Sequence, residues 1–137
     1  MIIDGSGLIM GRLASFAAKQ VLENEPVVIV NCNEVIINGK QEITWKKYKD
    51  KDRLGSSRWG PFLTKTPAAL MRRSVKGMLP RKRARGQEAY HGIICHNGMP
   101  EDIKPEQLAS VKLLKKSHSA RFTTLAKICE KIGGYRK

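Results

Sequence analysis

The first segment whose residues could do chemistry contains three glycines after a short apolar stretch. Asp4 is followed by Gly5, Gly7 and Gly11, and an alanine-rich pattern with helical spacing comes next. A strand, a glycine turn and a helix in that order begin a dinucleotide-binding unit. Such a unit also needs an acidic residue at the end of its second strand, and that position falls at Asn31. We interpret the glycines as residues that allow a sharp turn and close packing, with a small NADP-binding enzyme as an alternative.

The cysteines and histidines offer a second possibility, which their spacing does not favour. His91, Cys95 and His96 are close in sequence, but neighbours in a strand point to opposite faces, and a fourth metal ligand is missing. A Cys–His nucleophile pair would lack an orienting partner. Cys32 and Cys129 are predicted to be small core residues, and the absence of a CxxC pair indicates a reduced, intracellular protein. No catalytic residue, metal site or cofactor is predicted.

Charge gives the strongest chemical signal, because it is basic and unevenly distributed. The 137 residues carry 26 Lys and Arg against 12 Asp and Glu, which gives a net charge of +14 and a pI near 10.1. Residues 40–85 hold fifteen of the basic residues and three of the acids. Such a field is normally neutralised by a polyanion, which predicts nucleic-acid binding. A DNA-binding, chromatin-like protein is a further alternative, although no known DNA-binding motif is visible.

The elements that must position these residues begin with a strand–helix–strand core over residues 1–39. Ile2–Asp4 is predicted to be a buried strand, and the helix that opens at Gly11 has small apolar residues along one face. Val27–Asn31 is a second strand, whose continuous apolar run is typical of a parallel sheet covered on both faces. Glu34–Ile37 is predicted to be a third short strand. The pattern predicts an α/β fold.

The basic segment, residues 40–92, is predicted to form helices and a loop. Residues 40–52 form a polar helix with Ile43, Trp45 and Tyr48 as anchors, although the two aromatic rings could instead stack on unpaired bases. A Gly-, Ser- and Pro-rich loop follows over residues 53–67. Thr66 and Pro67 then cap and begin a further helix. These elements would display most of the positive charge.

Pro80 divides the second half of this segment. The preceding helix carries an apolar stripe of Leu70, Met71, Val75, Met78 and Leu79. A second helical piece is predicted from Arg81 to about Tyr90. Residues 93–137 are predicted to contain a last strand, Ile93–Cys95, then a loop and a terminal helix that Ser119 caps.

No apolar run is long enough to cross a bilayer and no signal peptide is visible. Residues 1–137 are therefore expected to form a single domain without membrane contact.

A resemblance to a known family begins in the segment around Pro80. The run Val75–Pro80, followed by Lys82 and Arg85-Gly86-Gln87, resembles the signature of the L-thirteen family of universal large-subunit ribosomal proteins. The Arg-Gly-Gln part resembles its archaeal and eukaryotic branch. Three other segments resemble the family in order along the chain: Gly7 with Gly11–Ser15, Asn38–Lys40, and Arg58 with Gly60–Phe62. The chain departs from the family pattern at Trp59, which is inserted, and at Cys95–Pro100.

The resemblance implies a three-layer α/β/α domain with a four-stranded, mostly parallel sheet and basic peripheral helices and loops. It also implies a structural, non-catalytic constituent of the large ribosomal subunit, cytoplasmic and within the ribosome. The partners would be large-subunit ribosomal RNA and neighbouring ribosomal proteins, with no small-molecule substrate. Together with the charge, it predicts these RNA-binding residues: Arg12, Lys40, Lys46, Lys47, Lys49, Arg53, Arg58, Trp59, Lys65, Arg72, Arg73, Lys76, Arg81, Lys82, Arg83 and Arg85. Gly77 and Gly86 are expected to let the backbone approach the RNA, with helix packing as an equal alternative for Gly77.

Overall fold

The computed structural model describes residues 1–56, 58–104, 106, 108–109 and 121–134. The strands are β1 (Ile2–Asp4), β2 (Val27–Val30), β3 (Ile36–Asn38), β4 (Ile93–Cys95), β5 (Leu108–Ala109) and β6 (Phe122–Thr124). The helices are α1 (Met10–Leu22), α2 (Gln41–Arg53), α3 (Pro67–Met78), α4 (Ala84–His91) and α5 (Leu125–Ile132), with a 3-10 turn over Cys32–Glu34. None of the helices in these ranges is long and apolar enough to cross a membrane.

A parallel sheet runs through the centre of the fold in the order β4, β2, β1. Ile29 in β2 lies opposite both Ile3 of β1 and Cys95 of β4. The two residues of β5 run parallel to the other edge of β1, where Leu108 faces Ile2. The α/β class and the strand–helix–strand core that the sequence predicts are confirmed.

A small antiparallel sheet joins β3 to β6, and it corrects the predicted terminal helix. Ile36 pairs with Thr124 and Asn38 pairs with Phe122, so this segment is a strand where the sequence predicted helix. The predicted cap, Ser119, lies outside the described residues. Helix α5 begins instead at Leu125, and the Thr124 hydroxyl accepts a hydrogen bond from the Lys127 amide at 3.5 Å. The strand forms because residues 122–124 find a partner strand, which no local pattern could reveal.

The core lies between the sheet and the helices that pack on it. The buried side chains of α1 include Leu13, Ala14, Ala17 and Val21, which form the small apolar face predicted from their spacing. In α3 the predicted stripe is buried as far as Val75, but Met78 is 46% exposed. The stripe prediction is wrong at Met78, because the helix ends there. It is confirmed at Leu79, which is 6% exposed and belongs to the core.

Helix α2 packs on the core through Tyr48, one of its predicted anchors, but not through Ile43. Ile43 is 65% exposed, whereas Thr44 is buried and Tyr48 packs against the core. Residues four apart lie on one helix face, so Thr44 and Tyr48 share a side from which Ile43 is rotated away. Ile43 is therefore not an anchor, and the anchoring role of Tyr48 is confirmed.

Helix α4 begins later than predicted. The Arg83 amide donates to the Pro80 carbonyl at 3.0 Å, which makes residues 80–83 a turn, and the helix starts at Ala84. Arg81, Lys82 and Arg83 therefore precede the helix, where the sequence predicted them inside it. They are exposed cations on the link between α3 and α4.

Candidate nucleic-acid interface

The glycine loop between β1 and α1 is closed by its own hydrogen bonds. The Gly5 amide donates to the Val30 carbonyl at 2.9 Å, and the Gly7 amide donates to the Glu34 carbonyl at 3.2 Å. The Leu8 amide donates to the Gly5 carbonyl at 3.1 Å. A dinucleotide loop offers such amides to phosphate oxygens, and here they are engaged within the protein. This supports the turn interpretation of the glycines over the NADP-binding alternative.

The acidic side chain next to that loop is also held in place. One carboxylate oxygen of Asp4 accepts hydrogen bonds from the Ser6 amide at 3.0 Å and the Ser6 hydroxyl at 2.7 Å. The same oxygen accepts from the Asn31 side-chain amide at 3.0 Å. Asn31 adopts a left-handed backbone with φ of 55°, which places its side chain toward β1. Asp4 and Asn31 therefore fix the ends of β1 and β2 together.

The three cysteines are free thiols that are buried or half-buried. Cys32 and Cys129 are fully buried, as predicted. Burial raises the pKa of Cys129 to about 12, to which the neighbouring Glu130 charge adds. A hydrogen bond from the Cys32 thiol lowers the pKa of Cys95 despite burial, and that bond raises the pKa of Cys32. Within the described ranges, no group of three or more His, Cys, Asp or Glu side chains could hold a metal ion.

The most concentrated set of cations lines a cavity between α3 and α4. The cavity has a volume of about 530 Å³, and the residues that border it include Arg72, Arg73, Lys76, Gly77, Arg81 and Tyr90. We refer to it as the Tyr90 cavity. The α3 cations point away from the buried Leu70, Met71 and Val75 because the two sets occupy different sides of the helix. The chain reverses at Pro80 and brings Tyr90 of α4 beside them.

One aromatic ring organises two of these cations. The Arg72 guanidinium carbon lies 4.6 Å from the centre of the Tyr90 ring, and the Lys76 ammonium lies 5.1 Å from it. Both distances are within the range of cation–π attraction. The Arg72 Nε atom is buried and has no hydrogen-bond partner among the residues that the structure describes. The ring thus holds two positive groups close together.

The charges in the Tyr90 cavity are not neutralised by acidic side chains. Within 4.0 Å, the ion pairs in the described part of the chain join Lys19 to Glu23 and Lys65 to Asp52. Neither pair includes a cation of the Tyr90 cavity. A surface with four cations and no close carboxylate attracts anionic partners.

The cationic surface continues from the Tyr90 cavity towards α2. A smaller cavity of about 220 Å³ is bordered by Tyr48, Lys51, Arg73 and Gly77. Arg73 and Gly77 also border the Tyr90 cavity, so the two are adjacent. Burial raises the pKa of Tyr48, consistent with its packing against the core. The structure therefore brings Lys51 of α2, which the sequence analysis did not predict as a contact residue, close to the predicted contact residue Arg73 of α3.

A further basic region lies at the amino end of α2. A cavity of about 530 Å³ is bordered by Lys40, Arg121 and Lys131. Lys49 lies 4.5 Å and Lys131 lies 5.5 Å from the Trp45 ring centre, so this ring contacts cations within the protein. Sequence reasoning missed Tyr90, Arg121 and Lys131. Their positions follow from the turn at Pro80 and the β3–β6 pairing, and neither leaves a local signal in the sequence.

The remaining predicted contact residues differ in how available they are. The exposed ones among them include Arg12, Lys46, Lys47, Arg53, Arg58, Lys82 and Arg83. Trp59 is 88% exposed and lies in the loop between α2 and α3. Lys65 is paired with Asp52 at 3.0 Å, and an Arg85 guanidinium nitrogen donates to the Leu22 carbonyl at 2.8 Å. Both of these side chains therefore also hold the fold together.

Gly86 packs inside the protein, which argues against the expectation that its backbone approaches RNA. It is buried in α4 and faces the Pro80 backbone. A Cβ atom placed on Gly86 would collide with the Pro80 carbonyl group, whose carbon would lie 2.6 Å away. Gly77 is exposed, and a Cβ there would meet no atom within 4 Å. Gly86 is thus required for packing, while Gly77 leaves the Tyr90 cavity open.

Comparisons with known proteins agree on one family. The family model described as Ribosomal protein L13 matches residues 1–102. A protein from Thermoplasma acidophilum named large ribosomal subunit protein uL13 is 37% identical, over 98% of each chain. Proteins of the same name from Methanosarcina barkeri and Archaeoglobus fulgidus are 36% and 35% identical, over 96% of this chain and 96% and 86% of theirs. With a basic surface and a family match of this extent, the chain belongs to the L13 family of ribosomal proteins.

Proposed function

We propose that the chain is a structural, non-catalytic constituent of the large ribosomal subunit that binds and stabilises ribosomal RNA. Its relatives bear the name large ribosomal subunit protein uL13. The observation that carries the RNA-binding role is the Tyr90 cavity, where Arg72, Arg73, Lys76 and Arg81 have no acidic partner within 4.0 Å in the described ranges. The proposed location is the cytoplasmic ribosome, beside neighbouring ribosomal proteins. The role is in subunit assembly and translation.

The proposed RNA contacts divide into a central set and a peripheral set. The central set is the four cations of the Tyr90 cavity. Exposed cations of α2, of the following loop and of the turn after Pro80 extend it on both sides. Arginine side chains suit this purpose because their planar fork donates two hydrogen bonds to one phosphate. Trp59 is proposed to stack on an unpaired base, since its exposed ring lies next to Arg58.

We also propose that residues 1–137 form one three-layer α/β/α domain with a four-stranded, mostly parallel sheet. Support for the fourth strand comes from the parallel pairing of Leu108 with Ile2. Support for two covering layers comes from Ile29 and Val30, which point to opposite faces of the sheet and are both fully buried. In this arrangement the sheet is a scaffold and the basic elements are peripheral.

The salt dependence of RNA binding tests the proposed function. Arg81, Lys82 and Arg83 are exposed, so their replacement by alanine removes three charges with little effect on the fold. We expect the slope of log K against log salt for large-subunit ribosomal RNA to become shallower by about 2–3, because each phosphate that the variant no longer neutralises lowers the slope by close to one unit.

A charge-matched control separates specific contacts from net charge. Replacement of Lys19, Lys104 and Lys127 by alanine removes the same charge from exposed positions outside the proposed contacts. We expect this variant to change the slope by less than about 1. Equal slopes for the two triple variants would contradict the assignment of the RNA-binding surface.

A further inference from the structure

We infer that the Tyr90 cavity is a preorganised phosphate-binding subsite in which the Tyr90 ring positions Arg72 and Lys76. The inference rests on the proposed function, because it names the part of the basic surface that takes a phosphate group. Tyr90 itself would be a positioning residue. Its neutral side chain holds the two cations that contact the ligand.

The first support is the shared ring. Two positive groups on one helix repel each other, and long side chains in water can move apart at little cost in free energy. Arg72 and Lys76 nevertheless both lie within 5.1 Å of the centre of one aromatic ring. Cation–π attraction to that ring offsets the repulsion and reduces the freedom of both side chains. An anion that binds between them would therefore meet a site that is already ordered.

The second support is the electrostatic state of the cavity. Arg73 and Arg81 border it together with Arg72 and Lys76, and none of the four makes an ion pair within the described ranges. The buried Arg72 Nε also has no hydrogen-bond partner there. Guanidinium groups bind phosphate through paired hydrogen bonds. The cavity therefore combines unused positive charge with the donors that a phosphate oxygen needs.

The third support is the size and opening of the cavity. A volume of about 530 Å³ lies within the range of sites that hold a small molecule. It can admit a phosphate group together with part of a nucleoside. Gly77 on its border has no side chain, and the space beside it is empty to 4 Å. A backbone phosphate of RNA can thus enter beside α3 without displacing a side chain.

Two variants of Tyr90 test the positioning role without any change in charge. Tyr90→Phe keeps the ring, so we expect RNA affinity at fixed salt to stay within about twofold of the wild type. Tyr90→Leu removes the ring, and we expect about three- to tenfold weaker binding, because neither cation is then held by cation–π attraction. The melting temperature of each variant reports whether the fold is kept, because Tyr90 is half-buried.

Single replacements of the cations provide a second measurement if Tyr90→Leu is unstable. Arg72→Ala and Lys76→Ala should each weaken RNA binding more than Lys127→Ala, which removes one exposed charge elsewhere. If Tyr90→Leu is folded and binds like wild type, or if the two cation variants match Lys127→Ala, the subsite is overturned. The salt-dependent binding of the unaltered protein would still support the proposed function in that case.

A titration with inorganic pyrophosphate distinguishes a phosphate of the RNA backbone from a free phosphate as the ligand of the Tyr90 cavity. At low ionic strength, we expect pyrophosphate to raise the melting temperature of the wild type and to do so less for Arg72→Ala, relative to chloride of equal ionic strength. Competition by RNA for this shift identifies the RNA backbone as the natural ligand. If RNA does not reverse the shift and the protein also fails to bind ribosomal RNA, the subsite binds free phosphates. That result would contradict the proposed function. No shift, together with unchanged RNA binding by Tyr90→Leu, overturns the subsite.

Discussion

At the scale of single residues, two helical glycines have different surroundings. Gly86 in α4 faces the Pro80 carbonyl group, and Gly77 in α3 faces open space. Both lie in the part of the sequence that most resembles the ribosomal family. Sequence alone could not separate them, because the turn that brings Pro80 against α4 is a tertiary contact. The same turn explains why Tyr90 could not be predicted as part of the site.

Alanine at each of these glycines should have opposite effects on stability. We expect Gly86→Ala to destabilise the protein by about 1–3 kcal/mol, because the added methyl group forces α4 away from Pro80. Gly77→Ala should be neutral or stabilising by up to about 1 kcal/mol, because alanine favours a helix and no atom is in its way. Urea denaturation of the two variants measures the difference. Equal stabilities would show that the contact between Gly86 and Pro80 is not tight.

At the scale of elements, the sequence predicts those parts whose pattern is local. β1 and β4 have the predicted bounds, and α3 begins at Pro67 after Thr66, as predicted. The start of α5 and the strand β6 could not be predicted, because Phe122–Thr124 becomes a strand only by pairing with β3. Helix α4 starts three residues later than the sequence predicts, since the turn at Pro80 takes up Arg81–Arg83.

The cap of α3 is a related case, in which a distant residue replaces the expected one. Thr66 occupies the cap position but its side chain makes no capping hydrogen bond. The side-chain oxygen of Asn97 instead accepts from the Ala68 amide at 2.9 Å. Asn97 belongs to the segment Cys95–Pro100, which follows β4. The carbonyls of His96, Asn97 and Gly98 also accept hydrogen bonds from residues 31–33, so this segment joins β2 to α3.

We therefore expect Asn97→Ala to cost about 1 kcal/mol of stability, the usual effect of losing a helix cap. Thr66→Ala is the matched control and should cost less than about 0.5 kcal/mol, because the Thr66 hydroxyl bonds to no helix amide. Chemical denaturation of both variants checks this. A larger loss from Thr66→Ala than from Asn97→Ala would contradict the assignment of the cap.

At the scale of the whole molecule, the distribution of charge along the sequence predicts the proposed RNA-binding surface better than the predicted strands and helices do. The excess of cations in residues 40–85 indicates a nucleic-acid surface, and α3 and the turn after it carry the cations of the Tyr90 cavity. The sequence could not rank the predicted RNA-binding residues. Lys65 and Arg85 are occupied by bonds within the protein, and Arg121 and Lys131 join the surface only through the β3–β6 pairing.

Sedimentation of a native lysate of the source cells tests the role of the whole molecule. We expect the protein to migrate with large ribosomal subunits through a sucrose gradient at moderate and at high salt, because many distributed contacts hold an integral component in place. Mass spectrometry of the fractions follows the protein. Its recovery only at the top of the gradient under both conditions would contradict membership of the subunit.

The pairing of β3 with β6 has a consequence for the order in which the chain can fold during its own synthesis. β1, α1 and β2 are made first and can associate while the chain is still growing. β3 must wait for its partner strand, because Ile36 pairs with Thr124 near the opposite end of the sequence. The Leu125 amide closes the same junction by donating to the Val35 carbonyl at 2.9 Å. The β3 amides that bond to β6 should therefore acquire protection only after residues 122–124 have been made, long after β3 itself, whereas the Ile36 amide, which donates to the Leu8 carbonyl, can be protected earlier.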